Sequence, residues 1–144
     1  MVSRKDGIGM KKTVLWLIVG VVVLLGTYIR LAPSDPARWH VVPIGEVEQE
    51  LKGGVIRVVE TGPDGLARLA AVARETPRTK VLAGSVDDGM VTYITRTKVF
   101  GFPDYTTVQQ DGDTLRIYGR LRFGRSDFGV NRNRVDGWLA LLQP

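Results

Sequence analysis

The sequence has no cysteine and a single histidine. Without cysteine there is no disulfide framework, thiolate nucleophile, zinc knuckle or iron–sulfur site, so any domain here is held by packing alone. The one imidazole, His40, lies in a proline-bearing stretch. A Ser-His-Asp triad would have to recruit it from there, and an exposed linker residue is the expected reading. No GxxxxGK[ST] phosphate loop occurs, and no GxGxxG opens a helix after a strand. Asp87-Asp88 is the adjacent carboxylate pair, and it falls in turn chemistry, so neither a metal site nor a cofactor is expected. Internal repeats and low-complexity segments are missing too.

What is present first is a hydrophobic run. Residues 13–29, TVLWLIVGVVVLLGTYI, carry no charge over seventeen positions. As a helix they span about 25 Å, and Trp16 and Tyr28 sit where interfacial aromatics belong. Arg4, Lys5, Lys11 and Lys12 precede the run and Arg30 follows it, which predicts a signal-anchor with its N-terminus inside and its C-terminus outside. The rival is a signal peptide cleaved near Ser34, leaving a soluble periplasmic domain. The net charge of +5 is thus partly a targeting signal: residues 1–12 supply +3 of it. The rest is close to balanced, and no nucleic-acid partner is expected. The expected organisation is a cytoplasmic basic N-terminus (1–12), a transmembrane segment (13–29), a proline-rich linker (30–44) and one domain (45–144), in the periplasm or otherwise outside the cytoplasm.

Within the domain, VIRVVE (55–60) reads as a strand after the Gly53-Gly54 break. Thr61 with Asp64 forms a capping-box pattern ahead of Leu66, Leu69, Ala70 and Ala73, a narrow, alanine-rich helical face ended by Pro77. From Lys80 the period becomes two. KVLAGS, MVTYITRTKVF, YTTVQQ and TLRIYGRLRF are strand candidates, joined by Asp-Gly turns that force antiparallel neighbours. Val135, Trp138, Leu139 and Leu142 mark a last helix, which Ser126 or Asp127 can cap. The predicted fold is α+β: a two-layer domain with an antiparallel sheet and two helices on one face, preceded by one transmembrane helix.

Between Arg116 and Arg134 there are six arginines, no lysine and one carboxylate, Asp127. Strand alternation puts Leu115, Ile117, Leu121 and Phe123 on one face and Arg116, Tyr118, Arg120 and Arg122 on the other. Three readings stay open: a solvated face paired with Glu46, Glu48 or Glu50, a pocket for an anionic ligand, or a surface for headgroups or protein. In RSDFGVNRNR, Asn131 and Arg134 share a helix face. Either Asp127 caps the helix, with Arg134 paired to it and Phe128 packed as a staple, or Asn131 and Arg134 face a cleft beside Arg120.

The stretch GRLRFGRSDFGVNRNRV resembles the C-terminal signature of the domain-of-unknown-function family 1499, G-x-S-D-[FL]-G-x-N-[RK]-x-R-[VI]. Gly124, Ser126, Asp127, Phe128, Gly129, Asn131, Arg132, Arg134 and Val135 match it, and upstream Phe102 and Asp104 match the family's gF-x-D-D segment. The sequence departs where Tyr105 replaces a second acidic residue and where the serines of R-S-x-S-R are missing around Arg120. The resemblance implies a small exported or membrane-associated domain and no reaction.

Three functions are expected in this order. The first is a non-catalytic binding module for an anionic small molecule or lipid headgroup, using Arg120, Arg122, Asn131 and Arg134. The second is a structural or assembly protein docking an envelope partner. The third is a hydrolase-type enzyme using Asp104 or Asp127 as general base. No catalytic residue is assigned.

Overall fold

The computed structural model describes residues 6–142; Arg4 and Lys5 of the basic front lie outside the described residues. The chain forms two compact units, residues 1–32 and 33–144. The first is the helix α1 (Asp6–Leu31). Its Gly9–Leu31 portion has mean hydropathy 2.3 and none of it is buried, so by length and composition it suits a membrane anchor or a signal sequence.

The second unit is an α+β domain. In chain order it contains α2 (Pro36–Trp39), β1 (Gln49–Leu51), β2 (Gly54–Glu60), α3 (Gly65–Glu75), β3 (Thr79–Ser85), β4 (Met90–Arg96), β5 (Pro103–Asp111), β6 (Thr114–Leu121) and α4 (Val130–Ala140). The strands make one six-stranded antiparallel sheet in the order β1-β2-β6-β5-β4-β3. Alternation assigns its two faces as the sequence predicts. Val55, Val91, Tyr93, Val108, Leu115 and Ile117 form the floor of the core, covered by Leu66, Leu69 and Ala73 of α3 and by Val135, Trp138 and Leu142 after and within α4.

That two-layer packing needs close approach. At Gly119 on β6 an added Cβ would meet Val135 at 3.2 Å and Val55 at 3.3 Å, so α4 rests almost on the strand backbone. At Gly54 the same atom would lie 2.3 Å from the Gly119 carbonyl oxygen, where no Cβ fits.

The other sheet face is covered as well. Residues 33–45 lie over it as a strap. Trp39 stacks on Tyr105, Ser34 Oγ bonds the Tyr105 hydroxyl at 2.7 Å, and His40 Nδ1 bonds Thr92 Oγ1 at 2.9 Å. His40 is thus half-buried on the sheet and not the exposed linker residue expected. Asp35 starts the single turn of α2 by accepting the Ala37 N–H.

Four local expectations change. GEVEQEL, ahead of the Gly53-Gly54 break and assigned no element from the sequence, supplies the edge strand β1, whose three residues are all exposed and therefore carry no burial signal. β4 stops at Arg96, because Thr97 turns the chain by bonding Phe102 through both backbone and hydroxyl. Thr61 does not cap α3; its hydroxyl donates to the Gly62 carbonyl, and the Leu66 N–H is taken instead by Gln110 Oε1 from β5 at 2.8 Å. Phe128 is no staple: it is 93% exposed with φ 51°.

Candidate functional site

The signature arginines divide between the two faces. Arg120 points to the strap side and is 7% exposed. Its guanidinium donates to the Trp39 carbonyl, to Thr107 Oγ1 at 3.2 Å and to the Tyr118 carbonyl at 3.3 Å. It also lies over the Tyr118 and Trp39 rings, 4.6 and 5.5 Å from their centroids. No carboxylate pairs with it among the described residues. Burial pulls its pKa below the ordinary arginine value, and Tyr118 and Tyr105 partly oppose this. A desolvated cation is costly unless its donors are satisfied; here a carbonyl, a hydroxyl and two π faces do that. Arg122, next on the same face, donates to the Pro33 carbonyl at 2.9 Å and to the Tyr105 hydroxyl at 3.1 Å. Both arginines hold the strap on the sheet. Among the described residues Glu50 pairs with Arg57 and Arg132.

Asn131 and Arg134 are on the opposite face, under α4, so no cleft joins them to Arg120. Arg134 Nη2 lies 3.2 Å from Asp104 Oδ2, and Nη1 donates to Asn131 Oδ1 at 2.7 Å. The ion partner of Arg134 is therefore Asp104 and not Asp127. Burial raises the Asp104 pKa above the usual carboxylate value; Arg134 works against that rise and Asp127 adds to it. Around this pair Asn131 Nδ2 and Thr106 Oγ1 are buried without a hydrogen-bond partner among the described residues.

The remaining motif residues build the entrance of α4. Gly124 and Gly129 take φ of 98° and 80°, a left-handed backbone that favours glycine. Ser126 Oγ accepts the Phe128 N–H at 3.3 Å. Asp127 uses both oxygens, Oδ1 for the Gly129 N–H and Oδ2 for the Asn131 N–H, each at 3.0 Å. It satisfies orphan donors at the helix start as a capping carboxylate does. Phe102 packs between the Phe100 and Phe123 rings at 5.5 and 6.5 Å.

The structure also shows a groove that the sequence reading did not single out. It has a volume of about 300 Å³ and lies between α3 and the edge of the sheet, walled by Ala70, Ala73, Val81, Val86, Val91 and Tyr93, with Arg74 among its lining residues. Val81 and Val86 are 59% and 40% exposed there. Tyr93 has its pKa raised to about 12 by burial, against the pull of Arg74, and its ring meets Trp138 edge-on at 5.6 Å. The alanine-rich face of α3 packs closely on the sheet at Ala73, as its sequence predicts, and Ala70 on the same helix borders the open space.

These features define a two-layer α+β domain with both sheet faces covered, two internally satisfied arginine clusters and one apolar groove. The chain belongs to the protein family of unknown function DUF1499, whose family profile matches residues 44–142. No curated protein and no solved structure matches it.

Proposed function

We propose that this is a membrane-tethered, non-catalytic binding module, and that it takes an amphiphilic anion in the groove between α3 and β3–β4. The observation that carries the reading is the groove itself: apolar walls on three elements, open space of ligand size, and two cationic residues, Arg74 and Lys80, in its lining. It keeps the anionic class of ligand expected from the sequence but moves the cations to Arg74 and Lys80, because Arg120, Arg122 and Arg134 are engaged within the domain. A binding role is supported over a catalytic one by Asp127, whose oxygens both hold backbone amides, and by Asp104, buried against Arg134.

The tether reading completes it. α1 is a retained anchor with its N-terminus in the cytoplasm and the domain in the periplasm or outside; Lys11 and Lys12 before the apolar run, against Arg30 alone after it, support this. The groove runs beside β3, an outer strand of the sheet, so an extended segment of an envelope protein is the alternative occupant. β3 carries a bulge between Val81 and Ala83, a device that discourages strand addition, and the amphiphile is preferred.

The test uses the full chain in nanodiscs of neutral lipid, titrated with dodecyl phosphate, dodecanol and inorganic phosphate. Saturable binding of dodecyl phosphate, weakened about tenfold or more by Ala70→Phe and by Arg74→Ala, is expected. Equal binding of dodecanol removes the anionic part of the reading. No binding of either amphiphile removes the reading.

A further inference from the structure

The charges of the domain are sorted by end. Antiparallel register puts the β4–β5 loop (97–102), the β6–α4 loop (122–129) and the β1–β2 turn at one end of the sheet. That end exposes Lys52, Lys98 and Arg125. Three carboxylates there are engaged: Asp104 pairs with Arg134, Asp127 holds backbone amides, and Asp35 caps α2; Glu75, at the end of α3, is exposed. The opposite end carries the β3–β4 and β5–β6 turns and the entry to α3, with Asp64, Asp87, Asp88, Asp111 and Asp113 all exposed.

The basic end also bears three strongly exposed large apolar side chains: Phe128 at 93%, Val99 at 75% and Phe100 at 66%. Two of these are aromatic, on separate loops. Phe128 is held outward by a positive φ in a turn whose amides Ser126 and Asp127 fix. A tightly built turn that presents a bare phenylalanine to water invests its order in exposure.

The chain enters the domain at this same end. The Pro33 carbonyl is bonded by Arg122 and Ser34 by Tyr105. Pro33 is two residues beyond Leu31, where the apolar span ends, a covalent distance of at most about 7 Å. Exposed aromatics interleaved with lysine and arginine, next to the point of tethering, are the chemistry that a lipid–water interface accepts. At the distal end Asp64 and Asp111 pair with Arg68 and Arg116, and the exposed Asp87, Asp88 and Asp113 are repelled by an anionic surface.

We infer that the Phe100 and Phe128 loops form a membrane-contact surface, inserting their rings into the interface of an anionic bilayer while Lys52, Lys98 and Arg125 meet its headgroups. The inference rests on the retained anchor proposed above, and not on the groove. It gives the domain a fixed footing, basic end down, with the acidic turns presented away from the lipid.

The absence of cysteine makes the test clean. Phe100→Cys, Phe128→Cys and, as the distal reference, Asp113→Cys are each labelled with an environment-sensitive fluorophore in the full chain and reconstituted at low density. The vesicles are either neutral or about one-third anionic, and the readouts are emission and access to an aqueous quencher. All three sites are exposed, so the fold tolerates the label. Labels at 100 and 128 are expected to shift to the blue and lose at least half their quenching in anionic vesicles, with the label at 113 unchanged. Quenching at 100 and 128 equal to that at 113 overturns the inference. Equal protection in neutral vesicles overturns its charge component. Protection only at high protein density identifies a second copy as the occupant and also overturns it. Failure of the unsubstituted chain to float with vesicles overturns the anchor reading separately.

Discussion

Trp39 lies flat on Tyr105, ring centroids 3.9 Å apart and planes inclined by 16°. The pair joins the strap to the middle of the sheet, and Arg120 fastens the same point by donating to the Trp39 carbonyl. The second face of the sheet is thereby closed by a segment with almost no regular structure.

Trp39→Ala removes a ring that is 9% exposed and unseats the strap. A loss of about 3–5 kcal/mol in unfolding free energy is expected from a buried aromatic truncation, with new proteolytic sensitivity within residues 33–45. Chemical denaturation and limited proteolysis of the full chain check both. A loss under about 1 kcal/mol contradicts the strap's structural role.

Arg120 and Trp39 act on one contact, so their substitutions should not add. The double variant Trp39→Ala/Arg120→Ala is expected to lose about 0.5–3 kcal/mol less than the sum of the single losses. Arg120→Lys should not restore stability, because an ammonium lacks the planar fork that reaches carbonyl and hydroxyl together. A full double-mutant cycle measures this. Additive losses would separate the two residues.

The Asp104–Arg134 pair is 6% and 11% exposed at its side chains. Removing one partner strands the other charge, so Asp104→Ala should cost about 3–5 kcal/mol, whereas the apolar double variant Asp104→Leu/Arg134→Met should be close to neutral. The pH dependence has a definite sign. The folded pKa of Asp104 is raised above 3.8, so its contribution to stability is full below that value and falls away as pH rises through the folded pKa. Comparing stability against pH for the native chain and Asp104→Asn isolates the slope: the native chain should lose stability relative to the variant on going upward from about pH 4. The opposite slope refutes the assignment.

Tyr93 should be the late-titrating phenol. Its pKa lies at about 12 rather than 10 in the folded chain, so the stability linked to it is intact below pH 10 and is lost as pH rises from 10 through 12. Ultraviolet titration of the phenolate band, native against Tyr93→Phe, checks this. The difference spectrum should grow in only well above pH 11. A transition near 10 would mean that the ring is solvated.

Much of this was readable without coordinates. The alternation in TLRIYGRLRF assigns both faces of β6 correctly, because a half-buried strand must alternate. The Gly-x-Ser-Asp-Phe-Gly motif marks the entrance of α4 because its residue types suit positive φ and amide capping. The strap was not legible in full: RLAPSDPARWHVVPI has no period, and only Trp39 signals burial. The burial of Arg120 was not legible for a related reason. Arginines on a polar strand face look like solvent-facing cations until something covers them, and the covering segment lies about eighty positions away in the chain. Gln110 capping α3 has the same origin, since a side chain from a distant strand replaced the local cap. The groove arises from small residues and open space, which sequence patterns record weakly.

The most direct test of the central claim is native mass spectrometry of the full chain released from its own membranes, with and without Ala70→Phe. The account predicts a co-purifying amphiphilic anion at about one copy per chain, retained by Phe128→Ser and lost from Ala70→Phe. A folded Ala70→Phe chain carrying the same species as the native protein, or a native chain that carries nothing, would contradict the claim that the groove is the binding site.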